Sequence, residues 1–193
     1  MRTWRDRGIV SAAVAATCAA TLAGSVRADT ADATKRPRGA VEDCSDISGF
    51  GASLRDFTRA RNLVVGPLAV LRAARTLAYA PAVGGNKLFV VVRGGHRVTL
   101  VLSKRTRRGA GLGFGYGPNQ GEVRLRDTYR VVTFIACERG EWPAGSVPDG
   151  WPLSGWVGFL LASSPRCVPL LVWIDEESQP RRAVIRFGVP DCG

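Results

Sequence analysis

The stretch Leu88-Phe-Val-Val-Val-Arg-Gly-Gly-His-Arg-Val-Thr-Leu-Val-Leu102 decides the fold class of this chain. Residues 88–92 are a continuous apolar run, punctuated by Gly94 and Gly95. Residues 96–102 follow, with Val98, Leu100 and Leu102 at alternate positions and therefore on one face of a strand. Two such runs joined by two glycines predict a β-hairpin. Working outward, residues 131–136, 155–161, 167–174 and 183–189 are further apolar runs of strand length. The last two are joined by the polar turn Asp175-Glu-Glu-Ser-Gln-Pro180. Asn62-Leu-Val-Val-Gly-Pro-Leu68 starts with β-branched residues and holds a proline, which suits an edge strand. Short strands separated by Gly and Pro clusters predict a mainly all-β domain, an immunoglobulin-like β-sandwich of about 7–8 strands. Two stretches compete as short helices. One is 53–60; the other is 68–80, where Leu71, Ala74 and Ala78 stand at helical spacing.

The 193 residues suffice for one ordinary domain, and 46% hydrophobic against 22% charged residues exclude a disordered chain. A polytopic membrane protein is excluded because the only long apolar run is N-terminal. That run reads as a secretory signal peptide over residues 1–28. Arg2, Arg5 and Arg7 form a positive start, an uncharged Ala-rich stretch follows, and Val26-Arg27-Ala28 offers small residues at a cleavage site. Residues 29–41 lack bulky apolar positions and are expected to be a flexible linker, with the domain at 42–193. Cleavage after Ala28 takes four arginines and Asp6 from the +11 of the whole chain and leaves +8. The expected location is extracytoplasmic, secreted or at the cell envelope, with no transmembrane span left after cleavage. An uncleaved anchor is the alternative.

Four cysteines then remain, Cys44, Cys137, Cys167 and Cys192, an even number that suggests two disulfides in an exported chain. Cys137 and Cys167 bound a long Pro/Gly/Trp-rich loop, while Cys44 and Cys192 bracket the domain. The expected pairs are therefore Cys137–Cys167 and Cys44–Cys192, one of the three connectivities that four cysteines allow.

Chemistry-bearing motifs are few. No cofactor or metal is expected: there is no C-x-x-C pair, and a single histidine cannot furnish a blue-copper site. Gly109-Ala-Gly-Leu-Gly-Phe-Gly-Tyr-Gly117 fits neither the dinucleotide fingerprint nor a P-loop. Its alternation instead places Leu112, Phe114 and Tyr116 on one face of a strand and bare backbone on the other, as where a neighbouring backbone approaches closely; a flexible loop is the alternative. Ser103-Lys-Arg-Thr-Arg-Arg108 is the densest basic run, and Lys104, Arg105, Arg107 and Arg108 are the candidate anion-binding residues. Arg124, Arg126 and Arg130 lie near in sequence. No interleaved aromatics accompany the run, so specific nucleic-acid binding is not expected. His96 reads as an exposed turn residue, and Asp175, Glu176 and Glu177 as carboxylates pointing into solvent. Trp142 and Trp151 flank a Pro/Gly loop and are candidate ligand contacts, whereas Trp156 and Trp173 fall in strands and are expected in the core.

From Asp56 onward the chain resembles a set of uncharacterised exported proteins of high-GC Gram-positive bacteria. The residues that carry the likeness are Arg61-Asn-Leu-Val-Val-Gly-Pro-Leu, Gly85-Asn-Lys, Cys167-Val-Pro-Leu and Gly188-Val-Pro-Asp-Cys. The resemblance implies export and a disulfide-stapled β-domain, and it implies no catalytic residue. The function expected is therefore non-enzymatic binding of an anionic envelope polymer, or of another envelope protein, through the basic loop. The alternative is a secreted hydrolase with His96 as its base.

Overall fold

The computed structural model describes residues 38–47, 57–115, 123–138, 140–141 and 153–192. Ten strands lie among them, more than the seven or eight expected: β1 (Ala40–Glu42), β2 (Leu63–Val65), β3 (Leu68–Val70), β4 (Gly85–Arg93), β5 (Arg97–Leu102), β6 (Ala110–Gly113), β7 (Val131–Ile135), β8 (Leu153–Ala162), β9 (Arg166–Ile174) and β10 (Arg181–Phe187). They form two five-stranded sheets, in the orders β1-β7-β5-β9-β10 and β2-β3-β4-β8-β6. Every pair is antiparallel except β1 with β7. One apolar core joins inward residues of both, among them Leu100, Phe134 and Val172 of the first sheet and Val90, Leu112 and Trp156 of the second. Among the described residues no helix is long and apolar enough to cross a membrane.

Both runs of the deciding stretch are strands, but they do not form a hairpin. β4 pairs with β3 and β8, whereas β5 pairs with β7 and β9 in the other sheet. The turn explains why. The His96 amide donates to the Arg93 carbonyl, and of the two glycines only Gly95 has a positive φ, 75°. That is the type II pattern, whose twist splays the flanking strands instead of matching them. The segment is thus an arch between sheets. The hairpin expected between β9 and β10 does form, with Arg181 opposite Val172 and Phe187 opposite Arg166.

The 62–68 run splits into β2 and β3 around Gly66-Pro67, with Val65 opposite Leu68. Gly66 at φ 58° followed by proline suits a II′ turn, so Pro67 lies in the turn, and of the two strands β2 is the one at the sheet edge. The 68–80 stretch is not a helix. Its backbone donors are taken by the sheets: Leu71 N–H bonds to Phe89 O and Leu77 N–H to Arg186 O, while Arg72 N–H bonds to the Asn62 side chain. Of the 53–60 helix, residues 53–56 lie outside the described residues; Phe57 is buried beneath the Arg93 guanidinium, 5.0 Å from its ring centroid. The signal segment 1–28 and linker residues 29–37 also lie outside them. At its C-terminal end the expected linker is already structure, because Ala40 and Val41 belong to β1 and stand opposite Val132 and Thr133.

Two disulfides form, but with the other pairing: Cys44–Cys137 and Cys167–Cys192. The expected Cys137–Cys167 and Cys44–Cys192 bridges are ruled out by register. The parallel β1–β7 pair, with Glu42 opposite Phe134, brings Cys44 alongside Cys137. Cys137 follows β7 at the end of the sheet where Ile135 faces Arg97 and Val98 faces Ile174. Cys167 is seven residues further along β9, roughly 23 Å away. It lies instead opposite Arg186, where the chain leaves β10 toward Cys192.

Candidate anion-binding surface

The alternation in the glycine-rich segment holds. Ala110, Leu112 and Phe114 are buried in the core, Phe114 edge-on to Phe134 with ring centroids 4.9 Å apart. Gly109, Gly111 and Gly113 fall on the other face of β6. Tyr116 lies outside the described residues. That bare face is occupied by side chains rather than by a neighbouring backbone, and two of them are cationic. A Cβ at Gly109 would overlap the Arg166 guanidinium. A Cβ at Gly111 would overlap the Thr128 hydroxyl and stand 3.2 Å from Arg130 Nη1. Glycine is required here for room rather than for backbone freedom.

Both guanidinium groups are anchored. Arg130 Nη1 donates to the Ala110 carbonyl, and Arg166 Nη2 donates to Ser164 Oγ at 3.0 Å. Arg166 Nε is buried without an acceptor. The basic loop between β5 and β6 is equally built. Hydroxyls of Ser103 and Thr106 bond at 2.8 Å, Thr106 is buried, and Gly109 and Ala110 N–H groups return to the Thr106 carbonyl. Arg107 Nε reaches back to the Leu102 carbonyl at 3.4 Å. The four loop cations therefore divide: Arg107 is folded against the loop, whereas Lys104, Arg105 and Arg108 are exposed.

Residues 123–130 lie beside the glycine strand. Tyr129 bridges to Leu112 across the open edge of β6, and the short 3₁₀ turn Leu125–Asp127 sits beside that strand. Arg124 and Arg126 of that segment are exposed, Arg126 3.6 Å from the less exposed Asp127. Among the described residues of 103–115, 123–130 and 163–166 there are eight cations and one carboxylate, Asp127; Glu122 lies outside the described residues. The basic run, the glycine run that directly follows it and the arginines of 124–130 lie together around β6. What ties them is Arg166, from a strand more than fifty residues away, and no local sequence signal points to it.

A second locus lies at the β4–β5 arch. His96 Nδ1 is 2.8 Å from Asp175 Oδ2, and Asp175 Oδ1 accepts the Arg97 N–H at 2.8 Å. Asp175 holds this geometry at a φ of 42°. The expectation that residues 175–177 simply face solvent is therefore corrected for Asp175, and Glu177 is paired to Arg181 at 2.6 Å. His96 is on a turn as expected, half-exposed, and among the described residues no hydroxyl or thiol bonds to its other ring nitrogen. Trp142 and Trp151 lie outside the described residues. Trp156 and Trp173 are buried as expected. Among the described residues no group of three His, Cys, Asp or Glu side chains could hold a metal ion.

Glu42 was not among the sequence candidates. It is inward-facing on β1, opposite Phe134, and only 5% exposed. Burial first, then the charges of Asp46 and Asp43, push its carboxyl up to about 7. Its burial follows from the parallel β1–β7 register, which no local pattern reveals.

No family model, no curated protein and no solved structure matches this chain.

Proposed function

We propose that this chain is an exported, non-enzymatic β-domain that holds an anionic component of the cell envelope on the surface around β6. The observation that carries the reading is the placing of the Arg166 and Arg130 guanidinium groups against Gly109 and Gly111, among described residues that carry eight cations and one carboxylate. Positive charge gathered with so little neutralisation attracts polyanions at long range. The two disulfides favour an oxidising compartment, in keeping with the signal-like N-terminus. The finer architecture proposed is an immunoglobulin-like sandwich, supported by the two sheets over one core, although both bridges tie elements of a single sheet.

The test is salt-dependent binding of the exported protein to isolated envelopes. Changing Lys104, Arg105 and Arg108 to Ser is expected to weaken binding at least about tenfold and to flatten its salt dependence. Arg107→Ser, which removes a loop staple, should do much less. Unchanged binding in the triple variant would overturn the basic-loop reading.

The 2.8 Å His96–Asp175 pair favours one second reading, a hydrolase with His96 as base and Asp175 fixing its tautomer. Under the binding reading, His96→Ala leaves envelope binding intact and costs at most about 1 kcal/mol, since the pair is half-exposed. A hydrolytic activity of the wild type lost in that variant would reverse the preference.

A further inference from the structure

We infer that the ligand of this surface is a linear polyanion lying along β6, rather than a single small anion. The inference rests on the binding reading above and specifies its ligand class. Gly109 and Gly111 are two positions apart along the chain, about 7 Å in extended backbone. Arg166 stands over the first, and Thr128 stands over the second with Arg130 Nη1 beside it. Beyond one end lies the loop with exposed Arg105 and Arg108; beside the other runs the Leu125–Asp127 turn, flanked by exposed Arg124 and containing Arg126. The basic segments are thus distributed along β6, one before it and one beside it. A small oxoanion is held by donors that converge, whereas a chain of repeating charges is matched by donors in a row.

The row is also stiff. Arg130 is tied to the Ala110 carbonyl and Arg166 to Ser164, so their positions are set before any ligand arrives. Planar, always-charged guanidinium forks suit phosphate and carboxylate oxygens, and fixing them beforehand reduces the ordering cost of binding. The row crosses segments 105–108, 124–130 and 166, which only the fold brings together.

Long-chain inorganic polyphosphate is the probe, with orthophosphate and tripolyphosphate as short controls. Affinity should rise steeply with chain length, and orthophosphate should not compete at millimolar concentration. A flexible polyanion releases roughly 0.7 counterion per neutralised charge, so six contacts give a log–log salt slope of about −4. The double variants Arg105→Ser/Arg108→Ser and Arg124→Ser/Arg126→Ser are placed at opposite ends of the row. Each should lower affinity several-fold and reduce the slope by about 1.4, with an unchanged melting temperature as the check on folding. Loss on the loop pair alone, or orthophosphate competing as well as the long chain, overturns the row and leaves a loop-centred anion site. Failure of the wild type to bind any polyanion at low salt overturns the binding reading itself.

Discussion

Raising the pH from 4.5 to 7.5 is expected to cost this domain about 3 kcal/mol of stability through one side chain, Glu42. The carboxyl faces the core from β1 at 5% exposure, and its pKa is pushed from 4.5 to about 7. Burial is the main cause, and Asp46 and Asp43 add like charge. Asp43 stays ionised over this range, because hydrogen bonds from the Ser45 side chain and N–H hold its own carboxyl low. Between the unfolded and folded values the folded protein keeps the proton that the unfolded chain has released. Stability therefore falls as pH rises through that window and levels off above about 7. Glu42→Gln keeps the shape and removes the titration. In urea unfolding at a series of pH values, wild type and variant should be similar near pH 4.5 and diverge toward pH 8, where the variant is the more stable. A wild-type-minus-variant difference that stays flat across this window would show that the carboxyl ionises freely in the fold. The placement has a structural logic: an inward-pointing acid on a short edge strand discourages further strand pairing there.

Strand existence was legible in the sequence, because runs such as 131–136, 155–161 and 167–174 are too apolar to sit anywhere but in a core. Which strand pairs with which was not. The Gly94-Gly95 dipeptide is compatible with a hairpin and with an arch, and the difference lies in the sign of φ at Gly94, which glycine leaves open. Leu71, Ala74 and Ala78 mimic a helix, but the backbone donors around them find better partners in Phe89 and Arg186. Alternation in the glycine segment correctly placed Leu112 and Phe114 inward and bare backbone outward. It could not say that Arg130 and Arg166 would fill the bare side. The His96–Asp175 contact and the burial of Glu42 were likewise invisible, since each depends on which distant strands become neighbours.

The cysteine pairing belongs with these long-range facts, and it carries the second large effect. Removing Cys44–Cys137 as a double alanine variant is expected to cost about 4–5 kcal/mol. Removing Cys167–Cys192 should cost about 3.5 kcal/mol or less. In the chain-entropy treatment the cost grows with the loop closed, and the sequence separations are 93 and 25 residues. The structural contexts point the same way. Residues beyond β10 keep other ties when their bridge is lost, Thr76 Oγ1 to Val189 O at 3.0 Å and Arg186 Nη1 to Pro190 O at 3.3 Å. The three residues of β1 have one strand partner, β7, and beyond the bridge the end of the strand is tied by Trp156 Nε1 donating to the Asp43 carbonyl at 3.1 Å. A loss of 4–5 kcal/mol is a large fraction of the 5–15 kcal/mol typical of a domain. Denaturant unfolding of both variants gives the comparison, and an equal or reversed order would place the dependence elsewhere. The two predictions are also coupled. If the first bridge holds β1 down, its removal lets Glu42 reach water, so the pH dependence should shrink in the Cys44→Ala/Cys137→Ala background and persist in the Cys167→Ala/Cys192→Ala one. Residues in contact are where such non-additivity arises. A pH dependence that survives loss of the first bridge would mean that β7 and the aromatic side chains of Phe134 and Trp156 hold β1 in place unaided.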